Sequence, residues 1–289
     1  MRPPRCCGLD GAPADDPMRE VETTHGPVAA ARPTPPTARP RLRPETWVLA
    51  GSGSLVAAWV LLSAALGPVV LPYPWDVVEA VWAGLWGGPL LLHLGRTLGR
   101  VCLSTALAMG VGGVVGVWTG LDRRADLFWS PHVLTGLVLP RVLLIVVCYL
   151  LVGLNEVAVV VATTLSVAPG VAVAVQQGVR ALDWGLVDMA GAFGVGTIAR
   201  WRRCIAPQLA PYAAGALRNA TSLAFKMVLF AELMGRPDGV GYQIAFYFQM
   251  FNMLQILAYG LATVLVAGAL EFGLRRLEHR LFRWRPVRP

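Results

Sequence analysis

Beyond residue 45 the chain alternates long apolar blocks with short polar ones. The apolar blocks cover about Trp47–Leu71, Leu98–Gly120, His132–Val152, Val157–Val175, Tyr212–Met234 and Met253–Phe272. A run of roughly 18 or more apolar residues crosses a hydrocarbon core about 30 Å thick as a helix, the form in which every backbone group is satisfied within the segment. The pattern therefore predicts an all-α, polytopic membrane protein with six transmembrane helices. The second block carries Gly112, Gly116 and Gly120 at spacings of four. This ridge of small residues suits close approach of another helix and says nothing of substrate.

The polar segments give the orientation. Basic residues stay on the cytoplasmic side of membrane proteins. Arginines precede the first block, Arg123 and Arg124 follow the second, and Arg180, Arg200, Arg202 and Arg203 lie between the fourth and fifth. The end carries Arg275, Arg276, Arg280, Arg283, Arg285 and Arg288. Both termini are therefore expected in the cytoplasm of a bacterial inner membrane. Residues 72–96, Gly153–Glu156 and 235–250 are expected outside. The net charge of +8 reads as this bias and not as nucleic-acid binding, because the basic residues sit at the ends of apolar runs.

Residues 1–45 differ in kind. They are rich in Pro, Arg and Ala, too poor in apolar surface to offset chain entropy, and without the apolar region of a signal peptide. A disordered cytoplasmic tail is expected there, followed by a transmembrane domain over 46–274 and a basic cytoplasmic tail over 275–289. The latter can form an amphipathic helix anchored through Phe282 and Trp284. The five cysteines and four histidines are scattered, so no metal site, disulfide framework or cofactor is expected.

The most informative stretch lies between the fourth and fifth blocks. It reads Asp188-Met189-Ala190-Gly191-Ala192-Phe193-Gly194, then nine residues, then Cys204-Ile205-Ala206-Pro207. A short helix over 184–193, a turn at Gly194 and a second short helix over 197–205 are expected, with Pro207 and Pro211 restricting the chain as it re-enters the membrane. This pattern resembles the coupling loop of permease subunits of bacterial binding-protein-dependent ABC importers, about 184–210 here. Asp188, Ala190, Gly194 and Pro207 match it, while Met189, Cys204 and Ala206 depart from it. Thr97-Leu98-Gly99-Arg100 resembles the entry to the first conserved span of this domain, and Ala231-Glu232-Leu233-Met234-Gly235, Gly239-Val240-Gly241-Tyr242 and the tail from Leu277 to Pro286 are similar to the nitrate, sulfonate and taurine branch of that family.

The resemblance implies a type I permease fold with a cytoplasmic coupling helix. It implies two cytoplasmic ATP-binding subunits docked at residues 188–207, a periplasmic solute-binding protein, and two permease copies, or two related chains, around one path. It implies no catalysis by this chain. A phosphate-binding P-loop is absent, and Lys226 is the only lysine. Gly194-Val195-Gly196-Thr197-Ile198-Ala199 mimics a dinucleotide fingerprint but lacks the preceding strand and the later acid.

Among the ionisable residues of the apolar blocks, Arg141 and Lys226 should lie well inside the membrane, with Glu232 as the main acid. A charge there costs at least about 2.5–3.5 kcal/mol. Arg141, Lys226 and Glu232 are therefore candidates for the lining of a path for a small anion. The competing reading pairs Arg141 and Lys226 with Glu232 or Glu156, or lets them snorkel to the interface. A rival function, an ion-gradient-driven carrier, would use Glu232 as its main acid. An intramembrane enzyme would need partners for His93 or His132 that the sequence does not offer.

Overall fold

The computed structural model describes residues 44–281. From Ala50 on the described residues form one compact unit. The expectation for 1–43, and Phe282 and Trp284 of the C-terminal tail, lie outside the described residues. All regular structure among the described residues is helical: α1 (Pro44–Leu66), α2 (Pro74–Gly87), α3 (Leu90–Leu121), α4 (Arg123–Val138), α5 (Arg141–Val152), α6 (Glu156–Arg180), α7 (Trp184–Ala192), α8 (Thr197–Arg200), α9 (Ala206–Gly235), α10 (Val240–Gln249) and α11 (Met253–Leu281).

Four helices are long and apolar enough to cross a membrane by themselves, within Leu49–Leu66, Leu90–Leu121, Glu156–Arg180 and Met253–Leu281. The third expected span is not one rod. It is α4 and α5, bent by 98° at Leu139-Pro140. Leu139 has φ −55° and ψ 131°, the extended conformation that a following proline imposes, and Pro140 supplies no N–H to continue the ladder. The fifth expected span is α9. Its 30 residues are length enough, but Arg218, Lys226 and Glu232 interrupt its apolar run. The last helix runs unbroken to Leu281 and so carries the first arginines of the basic tail.

The centre of the molecule is the seam between α3 and α6. A methyl added at Gly112 would come within 2.5 Å of the Ala168 carbonyl, at Gly116 within 2.5 Å of the Ala172 carbonyl, and at Gly120 within 2.6 Å of Val179 Cβ. The rising order on both helices means that they run parallel. The glycine ridge is thus buried against α6, where backbones touch and dispersion replaces the lost hydrophobic drive between helices in lipid. Across the seam, α9 packs antiparallel, with Tyr212 against Gly178 and Ala220, Ala224 and Val228 in the same core as Val171 and Val175. A second core joins α2, α10 and α11 to the start of α3 through Val77, Leu90, Leu94, Val240 and Tyr259. The outward faces of α1, α3 and α11 are broadly apolar and exposed, as surfaces meant for lipid are.

The bundle therefore has two distinct ends. One holds the start of α3, the start of α6 and the end of α9. The other holds the ends of α3 and α6, the start of α9 and the segment 181–205.

Candidate functional site

At the second end the chain forms an elbow. Asp183 caps α7, its side chain accepting from Leu186 N at 3.3 Å. The helix ends in a closed C-cap: Val195 N donates to the Ala190 carbonyl at 3.0 Å and Gly194 N to the Gly191 carbonyl at 3.0 Å. This two-bond pattern requires the residue after the cap to be left-handed, and Gly194 has φ +75°. From Gly196 the chain turns into α8, then a π-helical turn over Trp201–Ile205, and runs straight on into α9. Pro207, in the first turn of α9, has no N–H and would crowd the Arg203 carbonyl in an α-helix. The wider turn, with Ala206 N donating to Trp201 O, absorbs it without a break.

The elbow thus has the helix–glycine–helix form expected, but it is a continuous extension of α9. Asp188 and Pro207 are exposed, as is Gly194, and Ala190 is half-buried. Phe193 and Ile198 stand 81% and 85% exposed beside Met189 and Trp201. Asp183 N is tied to Gln208 Oε1 at 2.9 Å, so the elbow is braced against the helix it feeds.

The opposite end holds a cluster of charges that sequence reasoning did not assemble. Arg100 of α3 is 4% exposed. Its Nη1 donates to Glu232 Oε1 at 2.6 Å and to the Asp238 carbonyl at 3.1 Å. Its Nη2 reaches Asp238 Oδ1 at 2.5 Å and Glu156 Oε1 at 2.7 Å, and its Nε reaches Glu156 Oε2 at 2.8 Å. Arg236 bonds Glu156 at 2.8 Å and Asp238 at 3.1 Å, and Arg96 bonds Asp238 at 2.9 Å. Glu232, completely buried, also accepts from Thr97 Oγ1 at 2.9 Å and Gly241 N at 3.0 Å. Three arginines and three carboxylates balance.

Two glycines allow the loop 236–241 to close over the Glu232 carboxylate. A side chain at Gly239, φ +102°, would overlap that carboxylate, and one at Gly241 would overlap the Leu229 carbonyl. The Gly239 N–H donates to His93 Nδ1 at 3.1 Å. His93 Nε2 in turn lies 2.8 Å from the Gln243 side-chain nitrogen. Asp238 lies outside the spanning helices. Burial opposes its ionisation, but the Arg100 hydrogen bond and the charges of Arg100, Arg236 and Arg96 prevail and hold its carboxyl below the usual aspartate range.

These contacts settle how the three intramembrane candidates are placed. Glu232 and Glu156 are engaged by Arg100 and Arg236, so neither is the counter-ion of Arg141 or Lys226. Glu232 is an internal partner with no open face. Arg141 is exposed at the corner after the 98° bend, and Lys226 is exposed midway along α9. Neither makes an ion pair among the described residues. The structure does not bring Arg141, Lys226 and Glu232 together.

The sequence carried a signal for the charge cluster. Thr97 and Arg100 are one helical turn apart on one face, and they, Glu232, Gly239 and Gly241 are members of the three short motifs quoted above. What it lacked was a reason to place those motifs side by side.

A family model described as the binding-protein-dependent transport system inner membrane component matches residues 112–283, more than half of the chain. The putative aliphatic sulfonates transport permease protein SsuC of Bacillus subtilis (strain 168) is 26% identical over 234 residues, 80% of this chain and 84% of that protein. The protein of the same description in Escherichia coli (strain K12) is 26% identical over 249 residues, 85% of this chain and 94% of its own length. The taurine transport system permease protein TauC of the same strain is 24% identical over 237 residues, covering 80% and 86%. Among solved structures, the inward-facing MetNI methionine ABC transporter superposes with a TM-score of 0.59 at 18% identity, over 66% of this chain and 96% of that one. An amino acid ABC transporter superposes with a TM-score of 0.54 at 17% identity, over 68% and 94%. At such identities the structural likeness concerns the fold.

Proposed function

Because this chain belongs to the family of inner-membrane components of binding-protein-dependent transport systems, and is a non-catalytic ABC importer permease, we propose that it works as follows. It lies in the bacterial inner membrane with both termini in the cytoplasm, so the elbow faces the cytoplasm and the charge cluster faces outward. Two ATP-binding subunits each seat one elbow, at Asp188, Ala190, Gly194 and Pro207. A second copy of the chain completes the path, and a periplasmic binding protein delivers the solute. The solute is a small anion: an aliphatic sulfonate or taurine, as the names of the relatives suggest, or nitrate.

One observation carries the docking reading. The elbow exposes Phe193 and Ile198 almost fully, is capped so that its angle is fixed, and continues without a joint into α9. Closure of ATP-loaded subunits would pull the elbows together, and α9 would carry that displacement through the membrane to Glu232. Import then needs no chemistry on the solute, only two states of the bundle that bind the partners unequally. A carrier driven by an ion gradient is the weaker reading, since its main acid, Glu232, is locked by Arg100, Thr97 and Gly241 with no open face.

The test is copurification with an ATP-binding subunit and solute-stimulated ATP hydrolysis in liposomes. Gly194→Val should abolish both while the permease itself still purifies. A Gly194→Val chain that retains its ATPase and its stimulation would refute docking at the elbow.

A further inference from the structure

The face of α9 turned away from the core carries Asn219, Ser222, Lys226, Phe230 and Leu233 at helical spacing, all of them exposed. Lys226 lies nine residues before Gly235, about 14 Å along the helix, and 15 residues, about 22 Å, beyond Pro211. Its ammonium therefore stands between the two ends of the bundle, well inside the length of α9. A lysine turned to lipid at that depth is costly. It must meet water or an anion.

The surroundings favour the anion. Between α9 and α11 lies a cavity of about 570 Å³ bordered by Thr221, Ser222, Lys226, Thr263, Glu271 and Arg275. Its one carboxylate, Glu271, is already held by Arg275 at 3.0 Å and faces Arg218 at 3.6 Å. Thr221 and Thr263 spend their hydroxyl protons on carbonyls of their own helices, at 2.8 and 2.7 Å. Ser222 makes no hydrogen bond among the described residues and stands one turn from Lys226. The cavity thus holds a surplus positive charge, three ammonium N–H groups and one hydroxyl, all without acceptors.

We propose that Lys226, with Ser222, is an anion-recognition site on the solute path that selects for a compact oxyanion such as a sulfonate. This rests on the permease reading above and adds the residue and the sign of charge that the path would recognise. A sulfonate offers three oxygens to the ammonium and the serine hydroxyl, and a hydrogen bond between charged partners is the stronger kind.

The experiment uses the chain assembled with its ATP-binding subunit and binding protein in liposomes, with uptake of radiolabelled ethanesulfonate and of nitrate as probes. Lys226→Arg should keep uptake within about threefold, and Lys226→Gln should lower it at least about tenfold, the effect of one lost charged hydrogen bond. A charge-specific readout guards against a merely structural effect. With the five native cysteines changed to serine, Lys226→Cys should lose uptake. An aminoethyl methanethiosulfonate should restore it, and the sulfonatoethyl reagent should not.

Equal recovery with both reagents, no reaction of the introduced thiol, or full uptake by Lys226→Gln would overturn the proposal. So would a coupled wild-type complex that imports neither probe. Failure of the permease reading would look different: no ATP-binding subunit would copurify, whatever residue stood at 226.

Discussion

Replacing Arg100 by methionine tests the charge cluster most directly. The guanidinium makes five hydrogen bonds to three acidic residues, two of which, Asp238 and Glu156, keep Arg236 as a second partner. Glu232 has no second cation. With Arg100→Met its carboxylate stays fully buried, supported only by the Thr97 hydroxyl and the Gly241 N–H. Breaking a buried pair by removing one partner costs about 3–5 kcal/mol. For a domain of this size that is roughly 6–20 °C in melting temperature. Glu232→Gln leaves Arg100 compensated by Glu156 and Asp238 and forfeits one charged hydrogen bond, about 1.5–3 kcal/mol. The double variant Arg100→Met/Glu232→Gln removes the stranded charge, so it should be less destabilised than the sum of the singles by about 0.5–3 kcal/mol. Melting followed by size-exclusion of the detergent-solubilised protein gives all four values of the cycle. Strict additivity, or an Arg100→Met chain within about 2 °C of wild type, would show that the cluster does not bind the helices together.

Three further outcomes can be checked. Gly116→Ile should force α3 from α6 against the Ala172 carbonyl and cost about 1–3 kcal/mol or more, read as a lower yield of monodisperse protein, whereas Gly113→Ala, which meets nothing within 4 Å, should be silent. Gly194→Val should cost the permease only about 1–2 kcal/mol for its left-handed backbone, because the added side chain meets open space, so normal folding with lost ATPase binding is the expected pattern. Asp238 is held below its unfolded value near 4, so its contribution is complete above that value and fades as pH falls through the lower folded one. Melting temperature should therefore drop on acidification below about pH 4, and Asp238→Asn should be less stable at pH 7 with a flatter acid limb.

Much of this architecture was legible in the pattern of apolar blocks, because lipid leaves a chain few alternatives to helices. The elbow was readable for a related reason: an acid, a glycine and a proline at fixed spacing constrain the backbone locally. The break in the third span is a local effect of Pro140 too. Its neighbour Leu139 cannot hold a helical conformation, a consequence a purely hydropathic reading passes over. The charge cluster was not legible because all but one of the ion pairs in it join residues 56 to 142 positions apart, and no periodicity reports on such distances. Pairing Lys226 with the nearest acid in sequence, Glu232, was reasonable from hydropathy alone. It failed because Glu232 lies about 120° round α9 from Lys226, on the buried side, and is claimed by α3.

The wide separation of Arg100 from its partners also bears on biogenesis. Segments of such a protein are released into the bilayer in the order they are made. α3 therefore arrives carrying a guanidinium whose first acid, Glu156, is 56 residues away and whose buried acid, Glu232, is 132 residues away. During that interval the half-made protein holds an unpaired cation within an otherwise greasy segment, a condition suited to recognition by an insertion chaperone or a quality-control protease. Completion of α9 and the loop that follows it removes that mark, so the same six charges that fasten the finished molecule can also report that the central helices have all been made.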